Sequence, residues 1–356
     1  MLSFGFAASI GDQLEPCGTL NPATYRLIGK VYRQFAEREA WARPSVPVVE
    51  AAIVTSESPR FESQIPDSIM GTTQMLEELG IQFNIIDTGM DLSGYKLIFL
   101  PDDLVVSHEF QDRLEAYVTN GGKVIACAKG GQNENGIYPP CFGATSTGAR
   151  EVYPDFVIAE GPLADGLEPE NEYVIYQQGQ AIHSEDAAVV LSARSPYFKR
   201  QGDYFCSHRY TPSAKGDKYP AALRKENVLL FSHPLFTQYR ENAPLWCKKL
   251  ISNAIDMLLG HRIVRHNGPS TMTISVLDQP DEKRTNLHIL SYVPVRKSAT
   301  IDIIEERTVL HNVTVNIRIP RNFTRARLVP ENIPLEIIDG SITIPQINGY
   351  AIVELS

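Results

Sequence analysis

Gly121-Gly122-Lys123-Val124-Ile125-Ala126-Cys127-Ala128-Lys129-Gly130-Gly131-Gln132 decides the fold. Five apolar residues between two lysines, closed by glycines at both ends, are too few for a helix and read as a strand buried on both faces. Upstream, Ala51 to Thr55, Phe83 to Asp87 and Tyr95 to Pro101 have the same character. Helical patterns alternate with them, from Gln64 to Leu79, ending at Gly80, and from 106 to 119, ending at Asn120-Gly121-Gly122. Downstream, after an irregular glycine-rich stretch, Asn227 to Ser232 reads as a late strand leading into a helix from Ala243 to Leu259. Strands alternating with helices predict an α/β layer structure with a mostly parallel, flavodoxin-like sheet.

Either side of this centre the pattern changes. Beyond Gly260 the helical signal stops. Met272 to Val276, Asn286 to Tyr292, Thr300 to Ile304, Val313 to Ile319 and Tyr350 to Leu355 are β-branched or alternating, and Pro320, Pro330, Pro334, Asp339-Gly340 and Asn348-Gly349 punctuate them. About eight short strands without a helix predict a small antiparallel β-sandwich. At the front, the apolar run Leu2 to Ile10 reads as one strand. Asn21-Pro22 then opens a helix to about Glu39, because Asn caps free amides and Pro is tolerated in the first turn. Leu27, Val31, Tyr32 and Phe35 share one side of it, while Arg26, Lys30, Arg33 and Arg38 face water. One strand and one helix before the linker Pro44-Ser45-Val46-Pro47 read as a piece of something larger. The expected division is 1–46, 47–261 and 262–356.

Composition bounds the function. The 356 residues are 43% apolar, enough for ordinary cores, and the formal charge of −9 opposes a broad phosphate-binding surface, so nucleic acid is not an expected partner. No window approaches the ~18 uncharged apolar residues of a spanning helix, and no membrane partner is expected. The five cysteines (Cys17, Cys127, Cys141, Cys206, Cys247) are scattered without zinc spacing, and Leu2 to Ile10 has no basic residue before it as a signal peptide would. Free thiols in the cytoplasm, and neither metal nor cofactor, are the expectation.

The central strand with His233-Pro234-Leu235 resembles the class I glutamine amidotransferase fold. That family sets a cysteine on a strained strand-to-helix elbow, where backbone amides hold an oxyanion, a late histidine takes the thiol proton, and a glutamate two residues on orients the imidazole. Aligning Gly130 and Gln132 with that elbow puts Ala128 at the nucleophile position and Leu235 at the glutamate. Cys127 falls one residue early, which in a strand points it to the other face. The resemblance therefore implies a fold without its nucleophile. The rival reading is a thiol amidohydrolase using Cys127 and His233.

Other candidates are weaker. Ser195 to Arg200 and Tyr204 to Pro212 gather aromatic, basic and hydroxyl groups suited to a subunit interface, the rim of a sugar site, or a carbohydrate-binding platform. Glu77-Glu78 and Glu305-Glu306 are sequence neighbours whose side chains diverge, and read as solvated faces rather than an acid/base pair. Asp102-Asp103 follows the third strand at the edge where open sheets place ligands.

Ile10 to Tyr25 with Ile28-Gly29-Lys30-Val31-Tyr32 resembles a stretch of large glycoside hydrolases, the alpha-L-fucosidases and beta-galactosidases in which a catalytic (β/α)₈ barrel precedes a beta-galactosidase trimerisation domain. Ser195 to Pro212, Phe231 to Tyr239 and the tail from Asn286 to Leu355 extend the resemblance over essentially the whole chain. It implies a leftover last barrel strand and helix, an amidotransferase-like oligomerisation domain and a terminal β-domain. Seven barrel strands and the catalytic carboxylates have no counterpart. The resemblance further implies that Asp12 and Gln13 would line a barrel mouth, and that Phe205, His208 and Tyr210 could reach a neighbouring subunit's site. The expected partners are further copies of the chain as a trimer or dimer, a separate catalytic barrel, and carbohydrate.

Overall fold

A computed structural model describes residues 1–56, 65–199, 207 and 211–356. Two compact units emerge: Glu50–Leu79 with Phe83–Arg262, and Met1–Val49 with Gly80–Gln82 and Ile263–Ser356.

The first unit is mixed α/β. Its nine-stranded sheet runs Phe83–Asp87, Ala51–Thr55, Leu97–Leu100, Lys123–Cys127, Val228–Phe231, Tyr219–Lys225, Ala188–Arg194, Asp155–Ile158, Glu172–Ile175. The first five are parallel. The predicted parallel strands stand where the apolar runs put them, since strands covered on both faces need continuous apolar sequence. Leu97–Leu100 and Val228–Phe231 are buried at every residue. Helices Asp67–Glu78, His108–Thr119 and Leu245–Leu259 match the helical patterns, and Ser107 caps the second by accepting from the Phe110 amide at 3.2 Å.

The remaining strands of this sheet pair antiparallel, so it is mixed rather than mostly parallel. They come from the stretch that reads as irregular. Strands of four residues such as Glu172–Ile175, only partly buried, carry little periodicity of their own. Helix Leu235–Asn242 was also not predicted; it ends at Ala243, whose φ is +44°.

The second unit is antiparallel β. One sheet contains Val46–Pro47, Met272–Gln279, Arg284–Ser291, Tyr350–Leu355, Ala326–Val329 and Ile333–Leu335. Another contains Val264–His266, Val309–Ile317, Ser341–Asn348 and Ile337–Ile338. Alternate residues of both, including Ile274, Val276, Leu287, Val315, Ile344 and Val353, form one buried cluster.

Residues 1–49 belong to this unit instead of standing apart. Val46–Pro47, read as linker, pairs with Leu277 and Asp278. Leu2, Ala42 and Leu277 are buried together. Trp41 donates its indole N–H to Glu354 at 2.8 Å, and Gln279 donates to the carbonyls of Ala40 and Pro44. Helix Pro22–Ala36 forms as predicted, with the Asn21 side chain accepting from the Ala23 and Thr24 amides. The strand expected over Leu2 to Ile10 is not there. Leu2–Phe4 is a 3₁₀ turn, and residues 7–14 make no backbone-to-backbone hydrogen bond among the described residues. A strand exists only through a neighbour, and among the described residues none pairs with this run.

Candidate functional site

The carboxyl ends of Lys123–Cys127 and Val228–Phe231 meet at an elbow. The Ala128 amide donates to the Phe231 carbonyl at 2.8 Å, which carries the parallel ladder one step beyond the strand. Ala128 itself adopts φ +47°, an uncommon conformation for a residue with a Cβ. The next amides fold back at once, Lys129 onto the Asp102 carbonyl and Gly130 onto the Cys127 carbonyl, each at 2.8 Å. A Cβ on Gly130 would lie 2.4 Å from the Leu100 carbonyl oxygen and 2.7 Å from that of Pro101, so glycine is required. The Tyr138 hydroxyl donates to the Ala128 carbonyl. The bend is thus held from both sides, but no helix follows it. The amides of residues 129–131 are committed to protein carbonyls and offer no oxyanion pocket.

Cys127 lies at the end of the strand with no exposed surface. Burial, helped by the Asp102 carboxylate, pushes its thiol well above the ordinary value. A buried neutral thiol is a poor nucleophile. Ala128, at the strained position, brings only a methyl group and is itself buried, as is Leu235, the first residue of its helix.

His233 is also buried, and both ring nitrogens are engaged by the protein. Nε2 lies 3.0 Å from Asp155 Oδ2, and Nδ1 lies 2.8 Å from the Ser232 hydroxyl. Asp155 accepts in addition from Arg150 Nε at 2.9 Å. The guanidinium reaches Ser195 Oγ at 2.8 Å and lies over the Tyr219 ring, 3.5 Å from its centroid. Burial and the neighbouring Asp155 carboxylate push the Tyr219 hydroxyl upward. A Cβ on Gly179 would stand 2.6 Å from the imidazole, so the bare backbone there leaves room for it. The carboxylate beside the ring comes from 78 residues away in sequence. Ser232, His233 and Asp155 are connected like a hydrolytic triad, yet none is exposed by more than 1%, so no substrate atom can reach them. The arrangement ties four strands of the sheet together.

Asp102 is not a ligand group. It accepts from the Thr237 amide at 2.6 Å, the Thr237 hydroxyl at 2.8 Å and the Phe236 amide at 3.4 Å, closing the start of helix Leu235–Asn242. Burial raises its pKa to about 7 despite those bonds. Asp103 accepts from Ser68. Glu78 is not a purely solvated carboxylate either, since it pairs with Lys248 Nζ at 2.5 Å.

Asp12 and Gln13 stand on the exposed segment before helix Pro22–Ala36, joined by the Gln13 amide donating to Asp12 Oδ1 at 2.9 Å. Phe205, His208 and Tyr210 lie outside the described residues. The chain on both sides of them is tied together by the Tyr197 amide on the Pro212 carbonyl and the Ala214 amide on the Ser195 carbonyl, each at 3.1 Å. Among the described residues no cluster of His, Cys, Asp and Glu could hold a metal, and no helix is long and apolar enough to cross a membrane.

Comparison with known proteins gives this architecture its relatives. Residues 52–140 match the beta-galactosidase trimerisation domain. The whole chain superposes on alpha-L-fucosidase isoenzyme 2 from Paenibacillus thiaminolyticus with a TM-score of 0.91 and 30% identity. The chain corresponds to the C-terminal part of a glycoside hydrolase. Beta-galactosidases from Bacillus circulans sp. alkalophilus (TM-score 0.63, 16% identity) and Rahnella sp. R3 (0.61, 15%) share the fold over 96% of the chain. No curated protein matches it in sequence. The chain spans 56% of the fucosidase chain and 46% of each galactosidase.

The resemblance read from Ile10 to Tyr32 and the later segments is therefore borne out. Arg150 and Asp155, which complete the His233 network, were missed in the sequence. Nothing marks them there, because a pair that meets a histidine about 80 residues away has no local spacing to betray it.

Proposed function

We propose that this chain is a non-catalytic portion of a glycoside hydrolase that holds subunits together and shapes a carbohydrate site. The carrying observation is the elbow. Its bend is intact, its nucleophile position holds Ala128, and Cys127 and His233 are sealed inside. Together with the trimerisation-domain match, that favours a scaffold over a catalyst. We read the parallel strand order as a flavodoxin-like core of amidotransferase type, and the terminal sheets as a β-sandwich. The four described cysteines are all free, which agrees with a cytoplasmic location.

In this reading the chain forms a trimer or dimer, the catalytic carboxylates reside on a barrel outside these residues, and carbohydrate binds the assembled enzyme. Asp12 and Gln13 contribute to the rim of that site, and the loop bearing Phe205, His208 and Tyr210 reaches a neighbouring subunit. Light scattering on the purified chain should give the mass of a trimer or dimer, and nitrophenyl glycosides should not turn over. A monomer at every concentration, or fucosidase or galactosidase turnover abolished by a point mutation in this chain, refutes the proposal. The amidohydrolase reading requires an accessible thiolate, and burial of Cys127 speaks against it.

A further inference from the structure

The carboxyl edge of the parallel strands is closed by the elbow, but their amino edge is open. A cavity of about 620 Å³ lies there among Tyr95, Lys96, Arg113, Tyr117, Lys123 and Leu259. Its size is that of a small-molecule site. Lys123 opens its strand opposite Leu97, and Lys96 immediately precedes Leu97, so the two lysines stand side by side on neighbouring strands.

The walls are fixed without using either lysine side chain. The Tyr117 hydroxyl donates to the Tyr95 carbonyl at 3.1 Å and accepts from the Lys123 amide at 3.3 Å. A Cβ on Gly122 would come within 2.5 Å of the Tyr117 ring, so the bare backbone lets the ring close that side. Arg113 donates to the Thr88 carbonyl at 2.7 Å and to the Met90 carbonyl, which holds the segment leading to Asp91. Asp91 in turn accepts from the Ser93 amide at 3.1 Å and the Ser93 hydroxyl at 2.5 Å. Neither Lys96 nor Lys123 joins an ion pair among the described residues.

Charge and shape together select a ligand. With His261 counted as neutral, Lys96, Arg113 and Lys123 against the carboxylate of Asp91 give the lining an excess of two positive charges, in a chain whose total is −9. The total opposes a broad phosphate-binding surface, and this is a local one. A phosphate monoester carries about −1.5 to −2 at neutral pH, which matches the excess. Two ammonium groups with rotatable donors suit its tetrahedral oxygens, whereas a planar carboxylate is better served by a guanidinium fork. Phosphate alone would leave most of the cavity unfilled. The rest of the lining sets Leu92 and Leu259 beside the Ser93 hydroxyl, the Asn120 amide and the Asp91 carboxylate, a mixture that fits a hydroxylated ring.

We infer that this cavity binds a sugar phosphate, with Lys96 and Lys123 on the phosphate and Asp91 on the ring hydroxyls. The inference does not depend on the scaffold reading.

Calorimetry and phosphorus NMR on the full 356-residue chain at low salt test it, with glucose 6-phosphate, inorganic phosphate and glucose as probes. Glucose 6-phosphate should bind with a Kd below about 1 mM, inorganic phosphate about tenfold more weakly, and glucose without measurable heat. Lys96→Gln with Lys123→Gln should weaken glucose 6-phosphate about thirtyfold. The melting temperature of the ligand-free chain should stay the same, because neither side chain holds the fold. Lys30→Gln with Lys283→Gln removes the same charge from exposed positions outside the cavity and should change binding less than about twofold. Four results overturn the inference: no binding of glucose 6-phosphate at about 10 mM, glucose or inorganic phosphate binding as tightly as the ester, no loss in the first double variant, or an equal loss in both. The mass that tests the scaffold reading should be the same in either double variant, so the two readings fail separately.

Discussion

Acidification should loosen the C-terminal β unit through one histidine. His288, with no exposed surface, sits in strand Arg284–Ser291, with Nε2 3.1 Å from the Trp41 carbonyl and Nδ1 2.5 Å from the Tyr350 hydroxyl. Burial lowers its pKa from 6.5 to about 4, against the opposing pull of the Trp41 carbonyl. The folded state therefore favours the neutral ring. As pH falls below 6.5 the unfolded chain takes up a proton that the folded chain declines until about 4. The stabilisation is complete above 6.5 and is lost across that window, at about 1.4 kcal/mol per pH unit, or about 2 kcal/mol by pH 5. The chain has two tryptophans, Trp41 in this unit and Trp246 in the other. In a Trp246→Phe background, Trp41 fluorescence during urea unfolding reports the β unit alone, which avoids treating two units as one transition. His288→Gln should be less stable at pH 7.5 yet lose about 2 kcal/mol less than its parent on going to pH 5. Equal losses in parent and variant would refute the assignment, since the carboxylate background is common to both.

Three further outcomes are expected. Iodoacetamide near neutral pH should modify Cys17 well before Cys127 and Cys247, because Cys17 is exposed and its bond to Thr19 lowers its pKa, while the two buried thiols should react only in denaturant; rapid labelling of Cys127 in peptide mass spectra would return the amidohydrolase reading to contention. Gly130→Ala should destabilise the α/β unit by about 1–3 kcal/mol or more, since the added methyl meets backbone oxygens that cannot swing aside; an unchanged melting temperature would mean the elbow is looser than described. Asp102→Asn should gain on its parent as pH rises. With a folded pKa of about 7 against 3.8, the parent is favoured below 3.8 and progressively penalised up to 7, so the variant's relative stability should rise by about 4 kcal/mol between pH 4 and 8 in urea titrations.

Much of this could be seen in the sequence. Leu97–Leu100 and Lys123–Cys127 are buried strands because an apolar run of that length has no other use, and Asn21-Pro22 starts a helix by supplying a cap and a preset φ. The sequence also shows that Ala128 and Leu235 carry no group that could attack or orient. The antiparallel half of the large sheet was not visible there. Its short strands are defined by partners such as Ala188–Arg194 and Tyr219–Lys225, and half-buried residues leave no strong period behind. Nor was the fate of Leu2 to Ile10, which has the composition of a strand but pairs with no strand among the described residues.

Local chemistry along the chain, then, was enough to say which segments prefer helix or strand and which relatives the chain resembles. Only the folded molecule decided that His233 meets the Asp155 carboxylate, which Arg150 also holds, that Asp102 closes a helix start, and that the first 49 residues pack with the last 94. Propensity and side-chain chemistry act over a turn or a strand, whereas burial and pairing depend on contacts between residues far apart in sequence, and those exist only once the backbone has closed around them.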